Sequence, residues 1–283
     1  MAEIIYEMSD EEYFSIDALN ASTLKNMVNP QKAKYTMDNP KTSAAMVFGT
    51  QFHDFVLRGI KPELTLCNPK NIVSQYDEFR TKEAKQWRAD QESKGMKVWK
   101  LKDVYEADHG TVHLIKQMEA MSSEINRLEG FKEELASSKI EVVILWDRNG
   151  LQCKAKLDMY NPESNYVWDL KTCGNLDKFD ADVINYGYYI SAAWYIEAAR
   201  QIDGKTRGAM FAVAGKDEPY QAMLKEVPDV LVDVAEGKID ELIDVYKACK
   251  SSGEWPSPYT TSAMMIDVPG WFLRQNGFDD IIL

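Results

Sequence analysis

Asp158, Asp169 and Lys171 are residues whose types and spacing could do chemistry together. They lie in the stretch LQCKAKLDMYNPESNYVWDLK, residues 151–171, which reads as two strands joined by a turn. In the first strand Cys153, Ala155 and Leu157 alternate with Lys154, Lys156 and Asp158, the period-2 pattern of a half-buried strand. Asn161 to Asn165 supplies turn residues, since Pro presets φ and Asn tolerates tight backbone turns. In the second strand Val167, Asp169 and Lys171 share one face, and Tyr166, Trp168 and Leu170 the other. A turn closing around Asn161–Asn165 sets Asp158 opposite Val167, and so diagonal to Asp169 at about 7–8 Å. Two carboxylates that close repel each other unless a cation lies between them. A hard divalent ion such as Mg²⁺ suits, because one or two carboxylates and several waters usually hold it. Lys171 points at the same place, where an ammonium can position a water or stabilise charge growing on a phosphate. The set suits metal-assisted phosphodiester hydrolysis. The competing reading is a solvated strand face with ordinary charges.

The elements that must position these groups can be read on either side. KIEVVILWD, residues 139–147, is a nearly continuous β-branched run and predicts a central strand, with Asp147-Arg148-Asn149-Gly150 as the hairpin turn into the acidic ribbon. Glu141 is the polar exception in that strand. Upstream, Asn20 or Ser22 can cap a helix carrying Leu24, Met27 and Val28, which Asn29-Pro30 stops. A second helix follows Lys41-Thr42-Ser43 and covers AAMVFGTQFHDFVLRG, with Phe48, Phe52, Phe55 and Val56 as its apolar stripe and Gly49 and His53 on a neighbouring one. Gly49 costs the helix about 1 kcal/mol against Ala, which asks for a reason such as close approach of another backbone. His53 reads either as a half-buried helix histidine bonded to a carbonyl or as a metal ligand.

Between Pro69 and Lys102, nine basic residues face five acidic ones in a chain whose net charge is -12. Arg80, Lys85 and Arg88, near Trp87 and Trp99, make this the candidate DNA surface, the alternative being a solvated helix face. A helix over about Lys102 to Leu128 buries Val104, Val112, Ile115, Met118 and Met121; its His109 and His113 find no third ligand nearby and read as surface residues. NYGYYISAAWYIEAAR places Tyr188, Ser191, Ala192 and Tyr195 at helical spacing. GAMFAVAGKDEPYQAMLKEV gives two strands around a turn at Lys216–Pro219. A helix from about Pro228 to Ser252 turns Leu231, Val234, Ile239, Leu242, Ile243 and Tyr246 inward. MMIDV predicts a short strand, and Pro269-Gly270-Trp271-Phe272 begins a terminal helix.

A chain of 283 residues, 45% hydrophobic and with seven Trp, can bury a sizeable core. Without repeats or a Gly/Ser linker it reads as one domain over 1–283, a helical part to about 135 and a catalytic sheet with flanking helices from about 136. The acidic N-terminus lacks the pattern of a signal peptide and no apolar run spans a membrane, so the expected location is cytoplasmic. Four cysteines, Cys67, Cys153, Cys173 and Cys249, without a C-x-x-C pair indicate neither a zinc ribbon nor a disulfide framework. The acidic balance excludes a protein that coats nucleic acid nonspecifically, but not a nuclease with a local basic groove.

In the form LD...VWDLKT, Asp158, Asp169 and Lys171 resemble the core motif of the PD-(D/E)xK nuclease superfamily. FGTQFHDFVL resembles the G-x-x-x-H helix of its RecB-like branch, and the tyrosine helix resembles that branch's Q-x-x-x-Y helix, with Ser191 where Gln is expected and Tyr195 in place. ASTLKNMVNP and EWPSPY...VPGW resemble the RecE-type, exonuclease VIII-like family of phages and prophages, so the resemblance covers nearly the whole chain. It implies an α/β fold with a restriction-endonuclease-like core, a mixed central β-sheet flanked by helices. It also implies His53, Asp158, Asp169 and the Leu170 carbonyl as metal ligands, Lys171 and Tyr195 as catalytic residues, and Glu141 as the acidic position preceding the metal-binding Asp. A strand-end glutamate facing solvent is the other reading of Glu141. The implied activity is Mg²⁺-dependent digestion of one strand of a linear duplex DNA end, 5′ to 3′, with Mn²⁺ able to substitute. The 3′ tails would pass to a RecT-type single-strand annealing protein for DNA recombination, and the family's ring-shaped trimers or tetramers imply a homo-oligomer in a bacterial host, phage- or prophage-encoded. Two other readings stand beside it: a structure-specific or restriction-type endonuclease on the same core, and a non-catalytic DNA-end-binding or recombinase-loading protein.

Overall fold

A computed structural model describes residues 2–64, 69–259, 263, 265, 266, 268 and 270–275. The chain order is β1 (Glu3–Ile5), α1 (Asp10–Ser15), α2 (Ala21–Asn26), α3 (Pro30–Asp38), α4 (Ala44–Arg58), β2 (Asn71–Val73), α5 (Lys82–Ser93), β3 (Lys97–Trp99), α6 (Leu101–Ile125) and α7 (Phe131–Ser137). There follow β4 (Lys139–Arg148), β5 (Leu151–Tyr160), β6 (Tyr166–Cys173), α8 (Phe179–Asn185), α9 (Tyr188–Asp203), β7 (Gly208–Gly215), β8 (Ala222–Val227), α10 (Asp229–Ser252) and α11 (Gly270–Gln275). Six strands form one mixed sheet in the order β1-β4-β5-β6-β7-β8, antiparallel except for β6 and β7. The chain between those two parallel strands runs through α8 and α9, the crossover that parallel pairing needs. Helices cover both faces, as the α/β reading expects.

One core packs Leu24, Met27, Trp146, Leu157, Trp194, Phe211 and Ile239 between the sheet and α2, α9 and α10. The other packs Phe52, Met118, Met121, Phe131, Trp168 and Leu170 between the opposite face and α4, α6 and α7. α9 is buried on nearly every side, with Ala192, Ala193, Ala198 and Ala199 letting neighbours close in around Trp194. Among the described residues no helix is long and apolar enough to cross a membrane. β2 and β3 make a separate parallel pair beside α5.

Local chemistry accounts for the element ends. The Asn20 carboxamide accepts the Thr23 N–H at 2.8 Å and starts α2, while Pro30 opens α3 behind an Asn29 cap instead of merely stopping α2. The Asp147–Gly150 turn carries Asn149 at φ 53° and Gly150 at φ 80°, the left-handed pair that a two-residue hairpin requires. Three apolar expectations fail at solvent: Val28, which lies in the turn after α2, and Val112 and Val234 on α6 and α10 are exposed. The strand expected over Met264–Val268 is not formed at Met265, Ile266 and Val268; Met264, Asp267 and Pro269 lie outside the described residues, as does Cys67. The terminal helix is present from Gly270.

The register of the acidic ribbon differs from expectation by two residues. Met159 pairs with Trp168, so continuing one step sets Asp158 directly across from Asp169 rather than across from Val167. A second feature was not visible in the pattern. β4 and β5 pair through Ile140↔Met159 and Val142↔Leu157, but Glu141 and Asp158 between them leave the ladder. Glu141 adopts φ 50° there. The break reverses the alternation: Val142 and Leu157 belong to the core under α9, whereas Ile140 and Met159 pack under α4, α6 and α7.

Candidate active site

The broken step opens a cavity of about 540 Å³ between α4 on one side and α1, α2 and α9 on the other. His53, Glu141, Asp158, Leu170, Lys171 and Tyr195 all line it. Asp169 lies buried beside them, joined to the Lys171 ammonium. Five elements, α4, β4, β5, β6 and α9, therefore bring seven of the sequence-predicted site residues to one place.

α4 delivers His53 because Phe52, Val56 and Leu57, on the adjoining stripe of the helix, anchor it in the core. His53 Nδ1 stands 3.4 Å from Asp158 Oδ1. Burial alone would lower the imidazole's pKa, but the Asp158 carboxylate outweighs it and the net shift is upward. The other oxygen of Asp158 accepts the Leu170 N–H at 2.8 Å, tying the two acidic strands at the site. Burial would raise the Asp158 pKa, yet His53, Lys171 and the hydrogen bonds hold it below the carboxylate range. Asp169 goes the other way, pushed up to about 6 by burial and by the Asp158 charge against the pull of Lys171. Two facing acids of unequal proton affinity are what a shared site of like charge produces.

Lys171 is desolvated, which favours its neutral form, but Asp169 and Asp158 keep it charged. Its ammonium also lies 5.4 Å from the Tyr188 ring centre and 6.0 Å from that of Phe211. The Tyr195 hydroxyl keeps its proton, because burial and then both aspartates push its pKa well up. Ser191, where the resembled motif has Gln, is buried in α9 and does not line the cavity.

The Glu141 carboxylate is engaged, with Arg58 Nη2 at 2.5 Å and Lys156 Nζ at 2.8 Å; Lys156 also binds Asp10 at 2.7 Å. It is neither solvent-facing nor joined to the two aspartates. Gly49 also faces the cavity, and the expected reason for it fails: a Cβ there would meet nothing within 4 Å. The glycine keeps space open instead of admitting another backbone. Lys156, Thr172 and Lys216 also line the cavity, with Lys25 beside it on α2; of these the strand pattern marks only Lys156, on the face of Asp158, and no motif marks the others.

Arg80, Lys85 and Arg88 do not reach the cavity. Arg80 and Lys85 are exposed beside β2 and β3. Arg88 bonds Glu92 at 2.7 Å and lies 5.1 Å from the Phe79 ring centre. Lys94 pairs with Asp90 and Lys100 with Glu78, so part of that basic excess is neutralised locally. His109 and His113 are exposed on α6.

Two carboxylates and an imidazole are a donor set that a hard or borderline divalent ion accepts. Asp169 Oδ2 is buried with no hydrogen-bond partner, an orphaned acceptor of the kind that a cation satisfies. Among the described residues no three His, Cys, Asp or Glu groups are placed to hold a metal ion as they stand; His53 is turned to Asp158 and Lys171 to Asp169. The residues present fit a divalent ion.

Comparison with known proteins agrees with this architecture. Residues 21–264 match the family described as PDDEXK-like domain of unknown function (DUF3799). The fold is similar to the crystal structure of a candidate exonuclease from Eubacterium rectale, with a TM-score of 0.61 at 16% identity, covering 96% of this chain and 98% of the other. No curated protein sequence matches.

Proposed function

The chain belongs to the family of PDDEXK-like domains of unknown function (DUF3799), and from that premise we propose that its cavity hydrolyses phosphodiester bonds of DNA. The finer reading is a RecE-type exodeoxyribonuclease that needs Mg²⁺, or Mn²⁺ in its place. It degrades one strand of a linear duplex 5′ to 3′ and leaves 3′ tails for a RecT-type annealing partner. The observation that carries the reading is the meeting of Asp158 and Asp169 across β5 and β6, with His53 and Lys171 each joined to one of them in an open cavity. Nucleases of the PD-(D/E)xK superfamily usually employ divalent ions, and the Eubacterium rectale protein of similar fold is described as a candidate exonuclease.

Asp158, Asp169, His53 and the Leu170 carbonyl would hold the ion. Bound there, it would polarise the phosphodiester and acidify a water. Asp158 stays ionised and keeps the two strands joined through the Leu170 N–H. Lys171, kept charged by the acids, balances negative charge growing on the phosphate and orients the attacking water. Tyr195, kept protonated, offers a hydroxyl donor to a phosphate oxygen. The domain reading over 1–283, a homo-oligomeric ring and the DNA-binding role of Arg80, Lys85 and Arg88 belong to the same proposal.

The test is digestion of linear duplexes labelled separately at each terminus, beside a covalently closed circle, with Mg²⁺ and with chelator. Release of nucleotides from one labelled end, only with metal and with the circle intact, is the expected result. Lys171→Ala should keep duplex binding and lose hydrolysis by orders of magnitude. Cutting of the circle would replace the exonuclease by an endonuclease, and unchanged turnover in Lys171→Ala would remove the mechanism.

A further inference from the structure

The cations around the cavity divide according to their partners. Lys171 is held by Asp169, and Lys156 by Asp10 and Glu141. Lys216 lines the cavity from the turn after β7, with its ammonium 5.8 Å from the Phe48 ring centre. Lys25 stands on α2 one turn beyond Ala21, itself a lining residue, with its ammonium 5.4 Å from the Tyr188 ring centre. Neither ammonium forms an ion pair or hydrogen bond among the described residues. Tyr188 lies between chemistry and surface, since the Lys171 ammonium is at the same distance from that ring.

The placement of Lys25 is built, not incidental. Gly187, at φ 63°, caps α9, and a Cβ there would come within 3.1 Å of Lys25 Cδ. The missing side chain makes room for the lysine stem. The location is also unfavourable for a cation: burial first, then the Lys171 charge, lowers the Lys25 pKa to about 8. A half-buried ammonium facing a like charge without a carboxylate of its own costs stability. An anion arriving from outside would offset that cost at Lys25, and Lys216 presents a second ammonium without an ion pair to the same cavity.

We propose that Lys25 and Lys216 bind backbone phosphates of the strand that enters the cavity, leaving Lys171 to the reacting group. This rests on the phosphodiesterase reading above and adds to it which side chains grip the polymer. Each ammonium offers a charge-assisted hydrogen bond to a phosphate oxygen. Each contact made to a duplex contributes about 0.9 to the slope of log K against log salt.

The experiment compares wild type, Lys25→Met, Lys216→Met and the corresponding Arg variants on one labelled linear duplex. Salt series are recorded both for kcat/KM in Mg²⁺ and for binding by fluorescence anisotropy in Ca²⁺. Each Met variant should flatten the salt slope by about 0.9 and weaken kcat/KM on the order of tenfold through KM, with kcat held, while each Arg variant keeps the wild-type slope. A wild type that digests duplex while both Met variants keep its slope and KM overturns the phosphate assignment alone. A loss that Lys25→Arg shares with Lys25→Met, or one that appears in kcat, overturns it too by showing a packing or chemical role. A wild type that digests no DNA under any metal overturns the nuclease reading itself, and the phosphate assignment with it.

Discussion

Glu141 faces Asp158 at the one step where the β4–β5 ladder is broken, and it does so from a left-handed backbone conformation, φ 50°. The two residues have different duties. Asp158 turns to His53 and Leu170, while Glu141, in the same cavity wall, turns to Arg58 and Lys156. A non-glycine residue in that region stores roughly 1–2 kcal/mol of strain. Glu141→Gly should relieve the strain as it removes the ion pairs, whereas Glu141→Ala loses the pairs and keeps the strain. We expect the Ala variant to be less stable than the Gly variant by about 1 kcal/mol, the reverse of the usual order inside a strand. Urea midpoints at equal m measure it; a more stable Ala variant would show that residue 141 is not left-handed in solution.

Asp169 Oδ2 is buried without a partner while Asp158 faces the same site, so the protein without a cation keeps an unsatisfied acceptor and a carboxylate repulsion that Lys171 and His53 offset only in part. Adding a divalent ion should raise thermal stability as mass action requires, by about 2.7 kcal/mol at a hundredfold excess over Kd. Asp169→Asn should abolish that gain and His53→Ala should demand more metal for the same gain. Differential scanning calorimetry of chelator-treated protein over a Mn²⁺ series is the measurement. An equal gain in Asp169→Asn would place the ion elsewhere.

Much of this architecture is legible from residue pattern. The alternation of Val167, Asp169 and Lys171 against Tyr166, Trp168 and Leu170 holds in β6, and the helix of His53 begins after Ser43 as expected, with Ser43 as its cap. What the pattern misses has a physical cause in each case. A turn of five residues leaves the register of β5 and β6 undetermined by two, because either choice preserves which side chains share a face. The reversal at Glu141 is invisible because no glycine marks the left-handed position. Lys25 and Lys216 belong to no motif, Lys216 being read only as the start of a turn, and only the fold shows that one stands beside Tyr188 and the other lines the cavity.

Gly49 tests whether the empty space over α4 is used. Ala there should stabilise the helix by about 1 kcal/mol, since a Cβ meets nothing within 4 Å. A residue that large is tolerated by the fold, but Gly49→Leu places a bulky group in the cavity that His53 and Asp158 share. Stability of Gly49→Leu should remain at or above wild type while kcat/KM on linear duplex falls at least tenfold, an amount of about 1.4 kcal/mol in transition-state binding. Denaturation and digestion assays on the same preparations decide it; full activity in Gly49→Leu would mean that substrate does not pass that face.

Lys25 supplies a prediction whose sign is set by linkage. Its pKa in the folded protein, about 8, lies below the ordinary lysine value, with burial the first cause and Lys171 the second. Below pH 8 both folded and unfolded chains carry the charge there, and the folded chain bears its desolvation. As pH rises from about 8 towards the unfolded value of about 10.4, the folded chain releases its proton first, so the unfolded state binds more protons and stability increases. Lys25→Met keeps the stem beside Gly187 and removes the charge. It should therefore be more stable than wild type at pH 7 by on the order of 1–3 kcal/mol, and the advantage should shrink steadily above pH 8. Guanidinium denaturation at pH 7, 8.5 and 10 follows it. A group that lowers stability at neutral pH and still weakens DNA binding when removed marks a site where stability is given up for ligand affinity; a Lys25→Met protein less stable than wild type at pH 7 would show instead that the ammonium is a structural support.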